Sequence, residues 1–127
     1  MTRRRTLTAL VLAGAAASAA VPAQAGVPGA LRPQKRTVEV ADNFYGPSRI
    51  TVNPGSTVTW KWTKEAADVH DVKLTSGPKG VRRFWSEAAS YGYSYRRTLK
   101  TPGTYRILCT LHEADDMRMT VVVRRPR

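Results

Sequence analysis

The sequence predicts an all-β fold, a Greek-key β-sandwich of about seven to eight strands, in residues 37–127. Apolar and polar residues alternate with a period of two over several short runs, and turns containing Gly and Pro separate these runs. Long helical periodicity is missing from this region, where Ser86–Ala89 is the one candidate for a single helical turn. Many short strands joined by tight turns are typical of a sandwich.

Seven runs are predicted as strands. In chain order they are Thr37–Ala41, Arg49–Val52, Thr57–Trp62, His70–Leu74, Tyr93–Leu99, Thr104–Cys109 and Met117–Val123. The segments between them carry residues that favour chain reversal, at Gly46-Pro47, Asn53-Pro54-Gly55, Gly77-Pro78 and Thr101-Pro102-Gly103.

Alternation also predicts which side chains point into the sandwich. Trp60 and Trp62 share one face of their strand, and we expect that face to be buried. His70, Cys109 and Met117 fall on inward faces too, each at one end of a predicted strand. Residues able to bind a metal therefore stand at the rim of the predicted core.

Residues 1–25 are predicted to be an export signal, and residues 26–36 a flexible tether. Three arginines, Arg3–Arg5, precede an uncharged stretch rich in Ala and Leu, and the small residues before Gly26 suit cleavage near Ala25/Gly26. The apolar stretch is shorter than the roughly 20 residues of a spanning helix, although an uncleaved anchor is the alternative. The protein is therefore expected in the periplasm or outside the cell.

The charge balance favours acidic partners. Three of the 21 Lys and Arg residues lie in residues 1–25, which contain no acid, so the remainder has 18 basic and 9 acidic residues and a net charge of +9. The basic residues are scattered along the chain and an exported protein rarely meets nucleic acid, so nucleic acid is not expected as a partner. We expect a monomer, and leave open a peripheral association with a membrane surface.

The single cysteine and both histidines of the chain belong to one set of candidate metal ligands. Cys109, His112 and Met117 form a Cys-x2-His-x4-Met motif, and His70 opens a separate strand. A lone cysteine excludes the internal disulfide that small exported domains commonly use. One thiolate, two imidazoles and a weak axial thioether are the ligands of electron-transfer copper. The sequence therefore predicts one copper ion per chain, bound by His70, Cys109, His112 and Met117.

Other interpretations of these residues are less persuasive. Structural zinc sites favour paired cysteines, and a nucleophilic cysteine would need an oxyanion-type turn beside Cys109. Taken singly, Met117 is typical of a core methionine, His70 of a surface histidine, and Cys109 of a small buried residue or a dimerising thiol. Their joint spacing and shared inward faces favour the metal site.

Three segments of the chain resemble the cupredoxin family, in its plastocyanin/amicyanin group. Val38–Pro47 is similar to the family's opening strand and turn, and Ile50–Trp60 to its second hairpin. Leu99–Cys109 is similar to the run that leads to the ligand cysteine. The resemblance implies that His70, Cys109 and His112 are the three strong copper ligands and Met117 the axial one. It also implies that His112 lies at the surface and is the exit for the electron.

The sequence departs from the family pattern in three places. Asp71 follows the first histidine, where the family commonly has Asn. The copper loop carries the acidic residues Glu113, Asp115 and Asp116, which predict a local acidic patch. Met119 offers a second thioether, so the axial position stays open between Met117 and Met119.

A carrier of single electrons with an unidentified redox partner is the leading functional hypothesis. Copper storage, delivery or protection is the alternative. An enzyme is not expected, because multicopper oxidases and copper nitrite reductases need further His ligands beside the cysteine, whereas Leu108 and Thr110 flank Cys109.

Overall fold

The computed structural model describes residues 9, 11, 13–20 and 31–127, and in that part of the chain eight strands form two four-stranded sheets. The predicted cleavage site and most of the predicted signal and tether lie outside the described residues. Within the described ranges, no helix is both long and apolar enough to span a membrane. The all-β sandwich predicted from the sequence is confirmed.

The strands follow the predicted runs closely. They are β1 Lys35–Ala41, β2 Phe44–Gly46, β3 Arg49–Val52, β4 Ser56–Trp62, β5 Lys73–Ser76, β6 Ser94–Leu99, β7 Gly103–Leu108 and β8 Arg118–Val123. One sheet has the order β2-β1-β4-β6 and the other the order β3-β8-β7-β5. Pairs β1–β4 and β3–β8 are parallel, and the remaining neighbours are antiparallel.

Apart from shifts of one or two residues at other strand ends, four details differ from the sequence prediction. Strand β1 begins at Lys35, inside the predicted tether, because its backbone pairs with Thr57 of β4. The three-residue strand β2 was not predicted, since it is too short to show alternation. Strand β5 begins three residues after His70, which instead forms an isolated bridge with Ala89. The predicted turn at Ser86–Ala89 is not helical, and in the described part of the chain the one turn of 3-10 helix is Glu113–Asp115.

The two sheets enclose an aromatic core. Trp60 and Trp62 are fully buried, as alternation predicts. The Trp60 ring packs 6.1 Å from the ring of Tyr95, and the Trp62 ring packs edge-on 4.8 Å from that of Tyr93. Aromatic pairs in this geometry add to the stability gained by burying their surface.

Tyr105 fixes the start of β7, the strand that leads to Cys109. Its ring is buried, and its hydroxyl donates a 2.7 Å hydrogen bond to the carbonyl oxygen of Thr101 across the β6–β7 turn. We expect Tyr105→Phe to lower the free energy of unfolding by about 1–2 kcal/mol, because the Thr101 carbonyl loses its partner.

Urea denaturation of Tyr105→Phe measures this loss as a lower midpoint at an unchanged slope. The matched control is Tyr91→Phe. Tyr91 is 63% exposed, and the loss of its hydroxyl is expected to lower the free energy of unfolding by less than about 0.5 kcal/mol. Equal midpoints for the two variants would contradict the role of the Tyr105 hydroxyl.

Candidate metal centre

The end of β7 and the start of β8 hold the Cys109–Met117 loop closed. The backbone N–H of Cys109 donates to the carbonyl of Met117 at 3.0 Å, which continues the antiparallel ladder by one residue. Inside the loop, the N–H of His112 donates to the Cys109 carbonyl at 3.4 Å, and the N–H of Met117 donates to the His112 carbonyl at 3.3 Å. These bonds bring Cys109, His112 and Met117 to the same end of the sandwich.

His70 reaches this end from the segment before β5. Its backbone N–H and carbonyl pair with Ala89 at 2.9 and 3.0 Å, and its carbonyl also accepts a 3.2 Å hydrogen bond from the indole N–H of Trp62. The His70 side chain is completely buried. A core tryptophan and a neighbouring loop therefore hold the histidine in a defined position.

The structure brings His70, Cys109 and His112 together as predicted. The two Nδ1 atoms lie 3.1 Å apart. The Sγ atom of Cys109 lies 4.0 Å from Nδ1 of His70 and 3.5 Å from Nδ1 of His112. One nitrogen from each ring and the sulfur therefore surround a single point.

Two carboxylates determine which ring nitrogens face that point. Nε2 of His70 lies 2.7 Å from Oδ1 of Asp42, and Nε2 of His112 lies 3.1 Å from Oδ2 of Asp68. A carboxylate only accepts hydrogen bonds, so both contacts favour the tautomer that has the proton on Nε2 and leaves the Nδ1 lone pair free for a metal. Two Nδ1 lone pairs then face each other over 3.1 Å, an arrangement that a cation between them would stabilise. The residues present thus fit a metal ion.

Asp42 and Asp68 remain ionised in this arrangement. The hydrogen bond from His70, followed by the backbone N–H of Asp68, holds the pKa of Asp42 below its ordinary value. The backbone N–H of Val69, followed by the hydrogen bond from His112, lowers the pKa of Asp68. Sequence reasoning did not identify either carboxylate, because each is more than 25 residues from its histidine and no local pattern marks it.

The surroundings of Cys109 have opposing effects on the pKa of its thiol. Burial raises the pKa of the Cys109 thiol, and the carboxylate of Asp71 raises it further. Backbone N–H groups, including those of Asp71 and Leu111, donate toward the sulfur and partly oppose the shift. A bound cation would favour the thiolate, which is the form that ligates metals.

The structure distinguishes the two candidate methionines. Met117 is fully buried, and its backbone is hydrogen-bonded to both Cys109 and His112. The sulfur of Met119 instead accepts the indole N–H of Trp60 at 3.1 Å, inside the core. Met119 therefore already serves the packing of the sandwich.

His112 is the ligand candidate that reaches the surface. Its side chain is 13% exposed, whereas that of His70 is fully buried. The exposed side chains of Val69 and Leu111 lie next to the two histidines in the sequence and add apolar surface at this end.

The predicted acidic patch on the loop is partly neutralised. Arg118 forms ion pairs with Glu113 at 3.4 Å and with Asp116 at 2.8 Å. Sequence reasoning overstated the negative charge of the loop, because it did not place the first residue of β8 between these two carboxylates.

Comparisons with known proteins agree with this geometry. The sequence pattern of copper binding proteins of the plastocyanin/azurin family matches residues 34–124. Halocyanin from Natronomonas pharaonis is 32% identical over 80 residues, which cover 62% of this chain and 47% of halocyanin. The chain thus spans about half the length of this relative.

Solved structures also resemble the fold. A reduced amicyanin variant has a TM-score of 0.61 and 31% sequence identity, over 71% of this chain and 82% of amicyanin. A copper-containing nitrite reductase from Thermus scotoductus SA-01 has a TM-score of 0.60 and 26% identity, over 85% of this chain and 25% of the reductase. Because the family pattern covers most of the chain and includes all the candidate ligands, the protein belongs to the plastocyanin/azurin family of copper binding proteins.

Proposed function

We propose that the protein is a type 1 copper protein that carries single electrons outside the cytoplasm. His70, Cys109 and His112 are the strong ligands in this proposal, and Met117 is the axial ligand. Bound copper would supply a one-electron Cu(II)/Cu(I) couple. The observation that carries the proposal is the convergence of two Nδ1 atoms and one cysteine sulfur on a single point.

The scaffold suits electron transfer because it restrains the ligands. His70 is tied to Trp62 and Ala89, and the Cys109–Met117 loop is closed by its own backbone hydrogen bonds. Side chains held in this way move little when the metal gains or loses one electron. The partly exposed ring of His112 gives the electron the shortest route to a partner at the surface.

An electron carrier fits the chain better than an enzyme does. The chain has two histidines, and both belong to the cluster that includes Cys109, so none is left for a second metal site like those of copper enzymes. The nitrite reductase resembles this chain over only a quarter of its own length. The convergent ligands would also serve copper storage or delivery, and the reduction potential separates these functions.

Export is proposed from the sequence of residues 1–25, with cleavage near Ala25/Gly26, a short tether, and a copper domain that follows it. The protein would then act in the periplasm or outside the cell as a monomer. A redox partner protein is expected to be acidic, since the remaining chain carries a net charge of +9.

Adding Cu(II) to the purified protein is expected to give one bound ion per chain and an intense thiolate-to-copper charge-transfer band. Cys109→Ser should abolish the band, because the hydroxyl cannot supply the thiolate. Visible and EPR spectra test both statements. Copper bound by the wild-type protein without colour, or colour kept by Cys109→Ser, would refute the blue-copper assignment.

Met117→Gln is expected to lower the reduction potential, because an oxygen donor stabilises Cu(II) more than a thioether does. Met119→Leu is the matched control. It should leave the potential nearly unchanged while lowering the free energy of unfolding by about 1 kcal/mol, since the indole N–H of Trp60 loses its acceptor. Protein-film voltammetry and urea denaturation measure the two effects, and the opposite ranking of potentials would assign the axial position to Met119.

Asp42→Ala is expected to weaken copper binding by about 10–100-fold, because His70 loses the carboxylate that directs its Nδ1 toward the site. Asp115→Ala removes the same charge from the exposed turn of the loop and should change the affinity little. Competition with a chelator of known affinity measures both. Equal affinities in the two variants would show that the Asp42–His70 bond does not orient the ligand.

A further inference from the structure

Trp85 differs from the other two tryptophans of the chain because it is exposed. Trp60 and Trp62 are buried in the core, whereas 58% of Trp85 is accessible to solvent. Its indole N–H is not free in solution but donates a 2.8 Å hydrogen bond to Oδ2 of Asp71. The ring is therefore held in one place on the surface.

Asp71 connects Trp85 to the neighbourhood of the candidate ligands. This carboxylate is only 3% exposed, and it follows His70 directly in the chain. Its Oδ1 accepts the backbone N–H of Thr110 at 2.7 Å, and its Oδ2 accepts the Thr110 hydroxyl at 2.6 Å. Thr110 follows Cys109 in the chain. The path from the indole to the cysteine therefore consists of the Trp85–Asp71 hydrogen bond, the hydrogen bond from the Thr110 N–H to Asp71, and one peptide bond.

The aspartate is required by this set of donors. Both carboxylate oxygens of Asp71 accept hydrogen bonds, one of them from the Trp85 indole. An asparagine in this orientation would turn an NH2 group toward the indole N–H, and an indole can only donate. The replacement of the family's usual Asn by Asp71 thus matches the presence of Trp85.

One basic side chain lies over the exposed ring, and a second lines the same surface groove. The Nζ atom of Lys73 lies 4.2 Å from the centre of the Trp85 ring, and Lys73 and Trp85 also form an isolated backbone bridge beside β5, the edge strand of its sheet. A surface groove of about 580 Å³ is lined by Lys73, Leu74, Thr75, Arg83, Phe84 and Trp85. Two cations and no acid line this groove.

We propose that Trp85, Lys73 and Arg83 form a second docking surface for an acidic redox partner protein, connected to Cys109 through Asp71 and Thr110. Tryptophan and arginine are among the residues that contribute most to binding in protein interfaces. The positive charges of Lys73 and Arg83 also complement an acidic partner. This surface reaches the cysteine without passing through His112. The redox role of the surface depends on the proposed copper function, whereas its binding of anions does not.

Electron transfer at this surface would need no chemical change in the protein. A reduced partner loses one electron, the metal site takes it up, and no bond forms or breaks. Trp85 and Asp71 provide the contacts between the partner and Cys109 and are not themselves oxidised or reduced. No further oxidant or reductant is involved.

Binding is tested with hexacyanochromate(III), a paramagnetic anion that does not exchange electrons, added to the purified protein without metal and after loading with Cu(I). The NMR signal of the Trp85 indole N–H should broaden strongly. The double variant Lys73→Gln/Arg83→Gln should weaken this binding by about tenfold at an ionic strength of about 0.1 M, where the Debye length is about 10 Å. Because the anion binds without copper, failure of the copper assignment would leave this result unaffected.

The control is Arg124→Gln/Arg125→Gln, which removes the same charge after β8, at the end of the sheet opposite Lys73. It should weaken binding by less than about twofold, since charges farther away than a Debye length are screened. Equal weakening in the two double variants, or broadening confined to signals around His112, would overturn the docking surface.

The connection to Cys109 is tested by Asp71→Asn and by Trp85→Phe, which changes an exposed ring and should fold normally. Asp71→Asn should expose the Trp85 indole N–H to rapid hydrogen exchange. In the protein loaded with Cu(I), Trp85→Phe should slow oxidation to Cu(II) by hexacyanoferrate(III) several-fold relative to Tyr91→Phe, a variant of another exposed ring. Unchanged indole exchange in Asp71→Asn, or equal oxidation rates in the two aromatic variants, would overturn the connection.

Discussion

The convergence of three ligand atoms on one point is the constraint on which the rest of the site depends. Nδ1 of His70, Nδ1 of His112 and Sγ of Cys109 approach one another within 4.0 Å. Two nitrogen lone pairs and a sulfur do not favour such proximity unless a cation or a proton lies among them. Asp42 and Asp68 contact Nε2 on the opposite side of each ring, so the protein favours the tautomer that a metal needs.

The sandwich makes this convergence possible by bringing distant parts of the chain to one end. Strands β7 and β8 are antiparallel neighbours, so the residue after the first and the residue before the second, Cys109 and Met117, must lie side by side. His70 arrives from a separate segment, held by the core tryptophan Trp62. In the same core, the sulfur of Met119 accepts a hydrogen bond from the Trp60 indole N–H.

Sequence reasoning predicted what local patterns encode. Period-two alternation placed Cys109, Met117 and His70 on inward faces, and all three are buried. It missed the contributions of Asp42 and Asp68, because these depend on how separate loops meet at the end of the sandwich. For the same reason β5 was placed three residues early: the pairing partner of His70 is a loop residue, which no periodicity reveals.

The roles of the ring nitrogens in metal binding can be observed directly by ¹⁵N NMR of the protein loaded with diamagnetic Cu(I). Long-range ¹H–¹⁵N correlations distinguish protonated, free and metal-bound nitrogens of His70 and His112. We expect a protonated Nε2 on both rings, held by Asp42 and Asp68, with both Nδ1 signals shifted by the metal. A metal-induced shift at Nε2 of either ring, or at only one of the two histidines, would contradict it.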